Sequence, residues 1–354
     1  MLVGVKAVFL MSMLCLVAYL IGSAIRFNIH YLEPRIRNGS LGGMTLTCER
    51  LSDWALAFAY IVTVAYYLNL FGAFLLKGAG LVNPMMARSV TTAILVFIAY
   101  FGYHRGLDLL ERMEEAAVGI KLAIIAGLLA GLAWNNTSML IHGDWHLPEN
   151  NPPFDMLQFY IALGLIITVQ GFETSRYLGE KYSAELRIRT MRYSQLIASA
   201  IYISFIALAT VYFGQQLPDS GRETAIIDLS RNLGVLMPSL LILAALASQF
   251  SAGVADTSGG GGLLADLSHK RIRPGLGYVI ICGLAILITW SANIFEIISY
   301  ASKAFAVYYM LQCAAALTLA IQEPGISHRT YRVILFSLLV VLCICIVIFG
   351  IPAE

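Results

Sequence analysis

Residues 166–180 read Ile166-Ile167-Thr168-Val169-Gln170-Gly171-Phe172-Glu173-Thr174-Ser175-Arg176-Tyr177-Leu178-Gly179-Glu180. An apolar run that starts at Met156 has already laid down most of a membrane-crossing helix when it meets Gln170, since about 20 apolar residues cross the hydrocarbon core. Glycine and a carboxylate then follow. Gly costs about 1 kcal/mol against Ala inside a helix, and a carboxylate at membrane depth costs about 2.5–3.5 kcal/mol on insertion scales. A helix that only anchors has no use for either. A discontinuous helix does, because unwound backbone and half-helix ends supply the polar groups that grip a solute. The alternative is a helix that ends near Val169 and leaves Glu173 in water.

The rest of the chain points the same way. Of its 354 residues 59% are hydrophobic and 12% charged, with mean hydropathy +0.77. A soluble domain carries about 25% charged residues, so a water-soluble enzyme is excluded. The formal net charge of +2 leaves no footprint for a nucleic-acid partner. Of six cysteines, Cys48 reads as lying in a basic loop and the others in apolar stretches; none forms a Cys-x-x-Cys pair, so neither a zinc site nor a redox pair is indicated.

Ten spans follow from hydropathy, at 2–24, 51–76, 89–104, 116–134, 156–175, 194–214, 234–256, 275–291, 294–321 and 333–351. The third is short, and only Ala292 and Asn293 separate the eighth from the ninth. The loops after the odd-numbered spans hold sixteen Lys and Arg, the loops after the even-numbered spans four. That bias places the odd loops in the cytoplasm and both termini outside. Nothing ahead of the first span explains an outside N-terminus. Gly22-Ser23-Ala24 reads as one possible signal-peptide cleavage site, although cleavage there would put Arg26, Arg35, Arg37 and Arg50 outside. The other reading is that a helix belongs before the first span.

Gly171-Phe172-Glu173, then Gly179-Glu180, then Arg187-Ile188-Arg189-Thr190-Met191-Arg192 resembles the sixth span and following loop of the amino acid–polyamine–organocation (APC) transporter superfamily. A single Glu180 stands where that family has a pair, and the loop lacks its usual proline. Leu32-Glu33-Pro34 with Gly42-Gly43 resembles the stretch after the family's second span, and Leu263-Leu264-Ala265-Asp266 before His269-Lys270-Arg271 resembles the end of the eighth. In this register the chain matches family spans two to eleven as a single polytopic domain over 1–354, without the first and twelfth. The resemblance implies an all-α membrane protein of about ten transmembrane helices, with a LeuT-like inverted-repeat fold and a discontinuous helix near 170–175. It also implies that Gln170, Gly171, Phe172, Glu173 and Thr174 bind substrate.

Lys121 lies about five residues into the fourth span, roughly 7.5 Å deep at 1.5 Å per residue, within snorkelling reach of the interface. The resemblance gives it another role, since in APC members a lysine of the fifth span fills the space that sodium occupies in sodium-coupled relatives. A lysine there can gain and lose a proton, which makes proton coupling the preferred mechanism. If sodium couples instead, Ser248 and Ser251, three apart on one helical face, are its candidate ligands. Glu296 and Lys303 share a face two turns apart, as a cavity-facing pair or as an interfacial acid and a separately paired lysine.

Other signals are weaker. Gly259 to Gly262 is a four-glycine run with no Gly-Lys-Ser/Thr after it, hence not a phosphate-binding loop and expected as a flexible end to the seventh span. His142, Asp144 and His146 lack a third-ligand pattern, so no metal and no cofactor is expected.

The expectation is a secondary active transporter of amino acids or related amines, by symport or antiport, with alternating access in a bacterial inner membrane. Its partners are that small-molecule substrate, a coupling proton or sodium, and membrane lipid. A membrane-embedded enzyme would need a motif such as His-Glu-x-x-His or Gly-x-Ser-x-Gly, and neither occurs in the sequence. A truncated, inactive remnant or a membrane scaffold is the competing class.

Overall fold

The computed structural model describes residues 6–81, 83–105, 107–147, 155–179, 182–212, 224–230 and 236–351, without the side chains of 107–117, 166, 167, 225 and 229. Glu180 and Lys181 lie outside the described residues. Among those described, everything ordered is helical and there is no strand. Among the described residues nine helices are long and apolar enough to cross a membrane by length and composition. The tenth expected span is the broken one.

In chain order the helices are α1 (Ala7–Phe27), α2 (Glu33–Arg37), α3 (Gly43–Gly78), α4 (Pro84–Arg105), α5 (Leu107–His142), α6 (Met156–Gly164), α7 (Ala184–Ala209), α8 (Ala225–Leu229), α9 (Met237–Leu267), α10 (Pro274–Ser291), α11 (Ile294–Gln322) and α12 (Arg329–Phe349). A π-turn over Asn28–Leu32 joins α1 to α2. It sits just ahead of Pro34, whose ring would clash with the carbonyl four residues back in a regular helix.

Several boundaries differ from the sequence reading. The third span is a full helix from Pro84. Cys48 is buried inside α3 rather than in a loop, because α3 starts eight residues before the apolar run does. Gly22 and Ala24 are buried mid-helix in α1. The Gly22 position abuts Gln195 of α7, whose amide group lies 2.4 Å from where a Cβ would stand. The small residues there serve helix packing. The glycine run is helical as well, within α9. A Cβ on Gly261 would stand 2.3 Å from the Tyr278 ring, and one on Gly260 would stand 2.6 Å from Ile281. The run is therefore the surface on which α10 packs, not a flexible end.

The packing pattern carries the architecture. Counting crossings, with 156–178 as the fifth, α1 packs on α7, α3 on α9 and α4 on α10. These three pairs each join a span to the one five crossings later, whereas the fourth crossing, α5, packs on α9. Five is odd, so the partners run antiparallel, as two inverted repeats require. The centre is α3 and α11, packed against each other with Leu56, Tyr60, Leu68, Phe305, Tyr308 and Tyr309 all buried.

Candidate functional site

The fifth span runs as α6, capped by Asp155 accepting from the Gln158 N–H at 2.9 Å. It tightens into a 3-10 turn over Leu165–Val169 and breaks. Gln170 is extended, with φ −117° and ψ −176°, and Gly171 is left-handed at φ 99°. A second 3-10 segment, Phe172–Leu178, completes the crossing. The non-helical backbone is therefore at 170–171, at the start of the 170–175 stretch that the resemblance implied. Glycine stands where only a residue without Cβ enters that region without strain.

The backbone groups freed by the break are held by neighbouring side chains. The Gly171 N–H donates to Glu173 Oε2 at 3.0 Å, and the Gly171 carbonyl accepts from Thr174 Oγ1 at 2.8 Å. Glu173, 1% exposed, also accepts from the Tyr309 hydroxyl of α11 at 2.9 Å. It is not the wet carboxylate of the alternative reading. Phe172 stacks on Tyr309, with ring centroids 5.5 Å apart and planes 9° apart. Gln170 Nε2 donates to the Tyr67 hydroxyl of α3 at 2.7 Å.

The second half of the span is clamped by a buried polar network. Arg176 pairs with Glu49 of α3. Gln312 of α11 donates to Glu49 Oε2 at 3.2 Å and to Ser52 Oγ at 2.7 Å, and itself accepts from Asn28 Nδ2 at 2.8 Å. Arg187 of α7 grips Glu33 with both terminal nitrogens, at 3.0 and 2.6 Å, and donates to the Arg176 carbonyl at 2.7 Å. The Tyr177 hydroxyl donates to Asp53 Oδ1 at 3.1 Å. Sequence reasoning counted Arg176 and Arg187 as loop charges. They are 5% and 3% exposed, and the signal missed was Glu49, Asn28 and Gln312 flanking or interrupting apolar runs.

A cavity of about 840 Å³ opens beside this half, between Tyr60, Thr174, Tyr177, Ser258 and Tyr278, and is also lined by Asp266, Lys270 and Arg273. That volume suits a small solute. Of the five expected substrate residues, Thr174 lines it. Phe172 and Glu173 are buried behind it, and Gly171 is exposed.

The expected coupling residues are not gathered here. Lys121 is half-buried on α5, between exposed Ile120 and Leu122. Ser251 is buried and Ser248 half-buried on α9. Glu296 and Lys303 form no cavity-facing pair: Glu296 closes a capping box with Asn293 at the start of α11, and Lys303 is exposed.

Spans paired antiparallel across the chain, one of them broken, with a solute-sized cavity against the break, define a multi-pass membrane transporter. The chain belongs to the APC superfamily: the family profile described as "APC superfamily transporter" matches residues 1–350. It is also similar to an uncharacterized protein of Aquifex aeolicus (strain VF5), 39% identical over 354 residues, which is 99% of this chain and 85% of that relative.

Proposed function

We propose that the protein is a proton-coupled secondary transporter of amino acids or related amines, working by alternating access in a bacterial inner membrane. One observation carries this reading: the backbone at Gly171 is released from helix bonding and held by Glu173 and Thr174. A bound solute exchanges with those two side chains. Its carboxylate takes the Gly171 N–H, and its ammonium takes the carbonyl that Thr174 now caps, at no net loss of hydrogen bonds. The cavity at Thr174 is the route from the cytoplasm.

The clamp through Arg176 and Arg187 moves as one piece with the 172–178 segment, so closing and opening act on the break. Lys121 carries the coupling proton in this reading. The test is binding of radiolabelled amino acids and amines to the purified protein. Saturable binding lost in Gly171→Leu supports the reading, and no saturable binding of any of them refutes it.

A further inference from the structure

Asp256 was read as the last residue of the seventh span. It lies instead two-thirds along α9, is 9% exposed, and faces Thr63 of α3, whose hydroxyl is in hydrogen-bond contact with Asp256 Oδ2. The same hydroxyl lies 3.1 Å from the Ala59 carbonyl and 3.3 Å from the Tyr60 carbonyl. A threonine has one proton to give, and three acceptors face it. With Asp256 ionised, the proton goes to the carboxylate. With Asp256 protonated, the acid donates to Thr63 Oγ1, and the threonine proton turns back to the Ala59 carbonyl, the usual bond of a helical threonine. In both protonation states Asp256 Oδ2 and Thr63 Oγ1 stay bonded to each other on the same backbone.

The site also has a route to water. Ala255, Ser258 and Gly259, beside Asp256 on α9, line the cavity. Tyr60, one turn before Thr63, lines it too, and its ring atoms would lie 3.4 Å from a Cβ on Gly259. The cavity thus reaches the residues on either side of Asp256 on α9 and the turn before Thr63 on α3.

We propose that Asp256, with Thr63, is a proton-binding site of the transport cycle, additional to Lys121. This rests on the proton-coupled reading above. A proton from cavity water adds to the ionised carboxylate in one state and returns to water in the other. From α3, Tyr60 and Tyr67 lie near both Asp256 and Glu173. From α10, Tyr278 and Cys282 pack alongside, Cys282 bonding to Thr257. On α5 and α8, also packed on α9, the titratable groups with described side chains are Lys121, the exposed His142, and Asp228, which is paired with Lys77.

The test is infrared difference spectroscopy of the protein in lipid vesicles as pH is lowered. A carboxylic-acid C=O band should grow in, shift on 13C-aspartate labelling, persist in Lys121→Ala and Glu173→Gln, and vanish in Asp256→Asn. Thr63→Val, which removes the acid's acceptor, should move the band to higher frequency, and it carries the test if Asp256→Asn does not insert. No titrating band, a band unchanged in Asp256→Asn, or no shift in Thr63→Val overturns the proposal. The readout needs no substrate. If the band behaves as expected and amino acid uptake fails, the substrate reading falls and the proton site stands.

Discussion

Tyr309 and Glu173 come from helices far apart in sequence and meet across the break, with the phenol donating to the carboxylate at 2.9 Å and its ring stacked on Phe172. Glu173 thereby ties α11 to Gly171. Removing the hydroxyl while keeping the ring separates the two contacts. Tyr309→Phe should cost about 1–3 kcal/mol, the value of a hydrogen bond to a buried polar or charged group. It should weaken substrate binding more than Phe305→Leu, which removes a ring packed on Tyr309 but leaves the hydroxyl bond to Glu173 in place. Equal effects of the two on binding would deny Tyr309 a site role.

Gly171 offers a test of backbone against bulk. A Cβ there meets nothing within 4 Å, yet φ is 99°. Strain rather than collision sets the cost, about 1–2 kcal/mol for an L-residue in a left-handed conformation. Gly171→Ala and Gly171→Leu should therefore destabilise the protein about equally in thermal unfolding, and Gly171→Asn less than either. A penalty that grows steadily from Ala to Leu would mean that the backbone is not held as described.

Arg187 reaches Glu33 with two nitrogens and the Arg176 carbonyl with one of them. Lysine has no fork to reproduce this. Arg187→Lys should lose about 1–3 kcal/mol. Arg187→Ala should approach the roughly 3–5 kcal/mol of a broken buried pair, short of it because Glu33 keeps some exposure. Adding Glu33→Gln to Arg187→Ala should recover part of the loss. Strict additivity would show that the pair does not clamp the segment.

Topology follows from the loop charges. On a cysteine-free background, His146→Cys should react with an impermeant thiol reagent added from outside, and Arg189→Cys should react only after the membrane is opened. Both positions are exposed. The reverse pattern would invert the orientation.

The architecture was legible because the bilayer leaves few solutions. Hydropathy located the spans, and the alternation of Arg-rich loops ordered them. Gly171 between Gln170 and Glu173 marked the break, since no uninterrupted apolar helix needs those residues. What stayed hidden was partnership across the sequence. Arg176 and Arg187 look like solvated loop charges until Glu49 and Glu33 are brought to them, and no local pattern joins residues this far apart. Asp256 was missed for a related reason. Helix continues to Leu267 through four glycines, whose low propensity argued for an end at 256, and packing against α10 outweighed it. Lys121 was singled out by residue type and resemblance, and Ile120 and Leu122 beside it are exposed in the chain.

Coupled transport through the broken span is read out by uptake of radiolabelled amino acids into proteoliposomes under an imposed pH gradient. The wild-type protein should accumulate substrate above equilibrium when the proton gradient is directed with transport, without sodium. Gly171→Leu should abolish uptake. Lys121→Arg, which keeps the charge but is effectively never deprotonated, should stop gradient-driven uptake, while Lys121→Ala should retain at most exchange. Uptake no greater than in protein-free liposomes would contradict the account, as would wild-type accumulation by Lys121→Arg or a strict sodium requirement, the last moving the coupling site to Ser248 and Ser251.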